Sequence, residues 1–274
     1  MRISCLLLYR TDLHHALYST RRQAVRLTAK CTATLLITAC SILFSPGAIA
    51  EENTFDSNGT HISYRIDGEG EPVILIHGYT ASGGLNWRMP GIVKLLQDDY
   101  QVIVPDVRGH GKTGPAPDGK YGMESVRDII RLMDHLNIDQ AHIVGYSMGG
   151  MMTIKLAVDY PDRVKSAIIG GMGWVWPGSM GEPGESFANV SDVLAQVYDG
   201  FKEYETTQEE MKTLSMPYTV IVGMQDPGQL HRVDRWKEFK PDLPVTYIKD
   251  AQHNSCVFRP DFKKALREFL DAQE

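Results

Sequence analysis

Short runs that are apolar at nearly every position recur along the chain: residues 72–76 (Pro-Val-Ile-Leu-Ile), 102–104, 143–144, 167–169, 218–222 and 245–248. A strand that is apolar on both faces suits the interior of a parallel sheet whose two sides are covered by helices. Stretches with a different period separate these runs. Val126, Ile129, Ile130, Met133 and Leu136 fall at i, i+3, i+4, i+7 and i+10, one face of a helix. Phe262, Leu266, Phe269 and Leu270 repeat that pattern after Pro260. Upstream, residues 61–66 alternate behind Ser57-Asn58-Gly59, which predicts a hairpin closed by a tight turn. Strands alternating with helices predict an α/β fold, a mainly parallel central sheet with helices on both faces.

One region breaks the rhythm. Between residues 170 and 215 there is no clear buried strand, and glycines interleave with Met172, Trp174, Trp176 and Met180. Residues 190–204 then read as one amphipathic helix with Val193, Leu194, Val197 and Phe201 on one side. A short lid inserted between two strands, at about residues 171–215, is the expectation; the plainer reading is a long connection with one helix.

The first 50 residues do not share the pattern. They hold six basic residues against one acid, Asp12, then an apolar run over 31–44 and the small-residue ending Ala48-Ile49-Ala50. That order describes an export signal cleaved before Glu51, giving a periplasmic or secreted protein with no stable membrane span. The alternative is a lipid anchor at Cys40, in Ile37-Thr38-Ala39-Cys40. Residues 51–274 then carry 28−6 = 22 basic and 34−1 = 33 acidic residues, a net charge of −11 that repels nucleic acid and anionic membranes. Of four cysteines only Cys256 remains in this part, so no internal disulfide and no Cys/His metal spacing is available to it.

The chemistry concentrates after the apolar runs. Gly145-Tyr146-Ser147-Met148-Gly149 follows one of them and opens a helical stretch. A serine on a sharp strand-to-helix turn points its hydroxyl outward, and the helix behind it presents its positive end to a developing oxyanion. The hydroxyl needs a base. His253 lies between the last strand and the last helix, with His231, read as opening a helix, in reserve. The base needs an acid to orient it, and Asp226 directly follows the 218–222 run. Asp226 could instead cap the next helix, with Asp234 as its substitute. Backbone N–H groups of Tyr79, in His77-Gly78-Tyr79-Thr80, and of Met148 would form the oxyanion hole. Met172, Trp174 and Trp176 are candidates for an apolar acyl pocket, although such residues are more often plain core.

With these elements the chain resembles the α/β-hydrolase family over nearly all of residues 60–274. Asp106-Val107-Arg108-Gly109-His110-Gly111 is similar to a largely structural segment many members carry. The resemblance implies the α/β-hydrolase fold and a Ser147-His253-Asp226 triad acting through an acyl-enzyme, with no cofactor or metal. The expected substrate is a small-molecule carboxylic ester. A C–C bond hydrolase, a thioesterase or a perhydrolase would use the same triad, and a non-catalytic ligand-binding protein is a remote alternative. Halide-removing relatives use an aspartate nucleophile, which Ser147 disfavours.

Overall fold

The apolar runs form the middle of one eight-stranded sheet in the order β1-β2-β4-β3-β5-β6-β7-β8. The computed structural model describes residues 52–181 and 191–273; the export signal, the alternative at Cys40 and Val190 lie outside the described residues. β1 (Glu52–Ser57) and β2 (Thr60–Asp67) make the hairpin, with Asn58 at φ 52° and Gly59 at φ 85°. A two-residue hairpin turn of this kind needs positive φ at both positions, which asparagine and glycine tolerate best. β3 (Glu71–Ile76), β4 (Tyr100–Pro105), β5 (Ala141–Tyr146), β6 (Val164–Gly170), β7 (Tyr218–Gly223) and β8 (Val245–Ile248) then pair in parallel. β2 joins β4 antiparallel, and β1 joins β2 the same way.

Helices cover both sides. Alternate strand residues point to opposite faces, so Ile74, Ile76 and Ile143 pack with Val126 and Ile129 of α2 (Met123–His135) and Met152 of α3 (Met148–Asp159). Val73, Leu75 and Val144 pack on the other face with Leu96 of α1 (Ile92–Leu96) and with Phe262 and Leu266 of α7 (Pro260–Asp271). Each such fully buried side chain contributes about 1.5–3 kcal/mol of burial free energy. Between β6 and β7 the described residues hold α4 (Asp192–Asp199) and α5 (Gln208–Met211) and no strand. The continuous helix expected there is broken: α4 ends at Asp199 and a 3₁₀ turn follows over Gly200–Tyr204. The backbone of Gly200 lies so close to that of Gly122 that a Cβ would sit 2.6 Å from the Gly122 nitrogen. That approach leaves no room for a side chain at position 200.

Strand order also locates the site. The chain leaves β3 for β4 on one side of the sheet, then returns to place β5 on the other side of β3. The loops after β3 and β5 therefore diverge, and a crevice opens at the C-terminal ends of these two strands. Ser147 follows β5 and His77-Gly78-Tyr79 follows β3.

Candidate active site

Ser147 occupies the turn between β5 and α3 with φ 56° and ψ −113°, a backbone conformation that costs an L-residue of order 1–3 kcal/mol. Its amide donates to Gly170 O (2.8 Å) and its carbonyl accepts from Met151 N (3.0 Å), which hold the turn. The flanking glycines are dictated by contact: a Cβ on Gly145 would lie 2.0 Å from Gly149 O, and one on Gly149 would lie 2.1 Å from Ile76 O. Serine is a favoured helix N-cap, yet the Ser147 hydroxyl makes no capping bond to α3. It points to His253 instead, whose Nε2 lies 2.9 Å from Ser147 Oγ.

The other ring nitrogen, His253 Nδ1, lies 2.6 Å from Asp226 Oδ2. Asp226 is at the same time the N-cap of α6 (Pro227–Lys237), its Oδ1 accepting from Gln229 N (3.4 Å). The two roles weighed for it from sequence are thus compatible, one for each carboxylate oxygen. The reserve residues lie elsewhere. His231 does not open α6 but sits in its fifth position, with its ring edge-on to Trp176 at 5.7 Å. Asp234 is exposed on the same helix. The peptide carbonyl of His253 accepts a hydrogen bond from Tyr146 Oη, so the residue before the serine fastens the loop that carries the histidine. Cys256, in the 3₁₀ turn just beyond, is buried, and burial pushes its thiol up to about 12, which leaves it protonated near neutral pH.

The loop after β3 is held from two sides. Buried His77 accepts from Val107 N at Nε2 (2.9 Å), so its Nδ1 carries the proton and donates to Gly78 O (2.8 Å). Burial, with help from neighbouring His110, lowers His77 from the usual 6.5 to about 4. The unfolded chain therefore takes up a proton between those values that the folded chain refuses, so stability falls as pH drops through that window. The loss is expected to reach roughly 3 kcal/mol at its acid end. Urea midpoints compared near pH 7 and about pH 5 test this, and identical midpoints would contradict it.

Asn86 supplies the second support, and sequence reasoning missed it because nothing local marks it. Its Oδ1 accepts from Gly78 N (2.8 Å) while Gly78 backs directly onto Ser147. A Cβ on Gly78 would lie 3.3 Å from that of Ser147. Asn86→Ala is expected to slow turnover about 10- to 100-fold by loosening the strand-end loop that carries Tyr79. Steady-state kcat on an ester checks this, and a wild-type kcat would rule the support out. Tyr79 and Thr80 line the crevice on one side of Ser147, and Met148 begins α3 on the other.

A cavity of about 700 Å³ opens over Ser147. Met151, Met172 and Met180 line it, as do Tyr198 of α4 and Phe201 of the following turn. Three of the five exposed large apolar side chains among the described residues, Leu85, Met89 and Phe258, line it as well. Trp174 and Trp176 do not. Trp174 is buried against Phe239, with Nε1 donating to Thr206 O (2.8 Å), and Trp176 lies beneath the guanidinium groups of Arg232 and Arg235 at 5.3 and 5.5 Å. Both brace the segment after β6 from behind; of the three pocket candidates, only Met172 faces the cavity. Among the described residues no helix is long and apolar enough to cross a membrane, and no group of three His, Cys, Asp or Glu side chains could hold a metal ion.

An eight-stranded, mostly parallel sheet carrying a serine on the strand-to-helix turn defines an α/β-hydrolase fold. Residues 71–172 match the family described as alpha/beta hydrolase fold. The 2-hydroxy-6-oxo-6-phenylhexa-2,4-dienoate hydrolase of Comamonas testosteroni is 36% identical over 199 residues, covering 70% of this chain and 65% of its own. The 3-oxoadipate enol-lactonase 2 of Acinetobacter baylyi is 26% identical over 216 residues, covering 64% of this chain and 80% of its own. A meta-cleavage product hydrolase from Pseudomonas fluorescens IP01 superimposes with a TM-score of 0.66 at 25% identity, over 81% of this chain and 98% of that one. The match spans less than two thirds of the length of the Comamonas relative, and 30% and 38% of two further curated relatives. The chain has the α/β-hydrolase fold, and the relatives it is similar to are hydrolases.

Proposed function

We propose that this protein hydrolyses a carboxylic ester through an acyl-enzyme on Ser147. The observation that carries this reading is the unbroken line from Ser147 Oγ to His253 Nε2 (2.9 Å) and from His253 Nδ1 to Asp226 Oδ2 (2.6 Å). His253 takes the serine proton as Oγ attacks the ester carbonyl, and Asp226 stabilises the imidazolium that forms. The amides of Tyr79 and Met148 receive the oxyanion. Collapse of the tetrahedral adduct expels the alcohol, protonated by His253, and water activated by the same residue releases the acid. The apolar mouth of the cavity suits an acyl or alcohol group of small to medium size.

The sequence of residues 1–50 supports export, with the chain acting outside the cytoplasm after cleavage before Glu51 or held by a lipid at Cys40. Mass measurement of the N-terminus of the protein recovered from its host separates the two.

A second reading, hydrolysis of a C–C bond in a ring-cleavage product, is favoured by the name of the Comamonas relative. Residues 51–274 assayed on p-nitrophenyl esters of increasing acyl length, beside a 6-oxo-dienoate, decide between them. Turnover of esters alone supports the esterase. Turnover of the dienoate alone replaces it with the C–C hydrolase.

A further inference from the structure

Arg232 was not among the residues singled out from sequence, and among the described residues it is the one Lys or Arg that lines the cavity over Ser147. It sits on α6 six residues after Asp226, half-buried. Every contact it makes among the described residues is to a neutral group. Nη1 donates to Ser179 Oγ (3.1 Å) and to Trp174 O (3.4 Å), and Nη2 donates to Ser179 O (3.2 Å) and lies 3.5 Å from Met180 Sδ. Its guanidinium also faces the Trp176 ring. Among the described residues no carboxylate lies within ion-pair distance of it. Glu205, which favours its charge from further off, is engaged with the amides of Gly178 and Met180. Burial consequently weakens its hold on the proton.

The comparison within the molecule is Arg108, the other deeply placed arginine, which Asp128 grips through two hydrogen bonds. A guanidinium drawn out of water without a counter-charge costs free energy that neutral acceptors recover only in part. Among the described residues no Asp or Glu lines the cavity. An arginine fork matches the two oxygens of a carboxylate, and a carboxylate reaching Arg232 would exchange its contacts of 3.1–3.5 Å to neutral groups for charge-assisted bonds.

We infer that Arg232 binds a carboxylate group on the substrate, so that the ester cleaved at Ser147 carries a second, ionised carboxyl. This names the substrate class of the esterase reading and rests on it. The apolar side chains of the cavity would hold the chain between the two ends, and Arg232 would set which end faces away from the serine. Arg232 also tethers the segment that holds Ser179 and Met180 to α6, so the test must separate the tether from the anion contact.

The mono-p-nitrophenyl ester of glutaric acid and p-nitrophenyl pentanoate differ at their far end, carboxylate against methyl, and are otherwise matched in length. With wild-type enzyme, kcat/KM is expected to favour the glutarate ester. In Arg232→Gln the ratio of the two values is expected to fall roughly 10- to 100-fold, carried mainly by KM. Ser179→Ala weakens the tether alone and is expected to leave the ratio as in wild type. A wild-type ratio at or below one, or equal loss on both esters in Arg232→Gln, overturns the inference. Thermal shift with glutarate itself serves if neither ester is turned over. Stabilisation of wild type but not of Arg232→Gln then keeps the carboxylate site while the esterase reading fails. No stabilisation of either overturns the site as well.

Discussion

Replacing Ser147 with alanine is expected to lower ester turnover by roughly 10⁴- to 10⁶-fold while leaving the fold intact. The magnitude follows from what is lost. Without Oγ there is no acyl-enzyme, and whatever hydrolysis persists comes from a water molecule placed by the remaining groups. The side chain makes no capping bond to α3, so its removal costs the helix little. Urea unfolding of the variant is expected to match wild type within about 1 kcal/mol. His253→Ala should lose a comparable factor, and the double variant little more than either single one, because the groups act as a unit. Labelling by a fluorophosphonate probe provides an independent reading: it should disappear in Ser147→Ala. Wild-type protein that resists the probe and hydrolyses no ester would leave the non-catalytic binding protein as the better account.

The second large effect is on stability. Asp128→Ala is expected to destabilise the fold by about 3–5 kcal/mol. Asp128, on α2, accepts from Arg108 Nε (2.6 Å) and Nη2 (2.7 Å) and from Ser57 Oγ (2.5 Å), and both charged side chains are almost fully buried. Arg108 Nη1 donates to Lys120 O (2.7 Å), so one guanidinium joins the loop after β4 to α2, and Asp128 continues the link to β1. Alanine would leave a buried guanidinium with only the Lys120 carbonyl and the exposed Asp118, 4.0 Å away, in place of its close partner. Changing both residues, Arg108→Met with Asp128→Leu, is expected to cost less than the single Asp128→Ala, because the penalty lies in the orphaned charge more than in the lost pair. Urea-unfolding curves of the three proteins decide it. A single variant within about 1 kcal/mol of wild type would sink the argument.

Much of this architecture is legible in the sequence because it rests on short-range rules. Apolar runs marked the parallel strands, period 3.6 marked α2 and α7, and Gly145 before Ser147 reflects a contact with Gly149 only four residues away. The order of Ser147, Asp226 and His253 along the chain could be read because each follows a strand, and strand ends are visible as the end of an apolar run. Features that depend on distant contacts were hidden. Residue 200 must be glycine only because Gly122, nearly 80 residues away, lies against it. Asn86 matters only because Gly78 folds back onto it. The two tryptophans were placed in the pocket on composition, yet they face α6 and the backbone of Thr206, neither of which could be inferred from their neighbours in sequence. Arg232 showed no local signal at all, since an arginine on a helix is ordinary until its lack of an acidic partner is seen.

Helix α6 joins two of these features into one piece. Asp226 begins it and Arg232 lies six residues along it. At 1.5 Å per residue the rise between them is about 9 Å, and a rigid helix fixes that interval far better than a loop could. On the proposed role of Arg232 the helix would work as a gauge, with the hydrolytic end of the site at its first turn and the carboxylate end near its second. One residue added between Asp226 and Arg232 would swing the arginine by about 100° and carry it out of the cavity, whereas a whole added turn would move it outward by about 5 Å on the same face. On this arrangement the length of acid that the enzyme accepts is counted in helical turns, and variants with a different appetite would be sought in the spacing of α6 before the walls of the cavity.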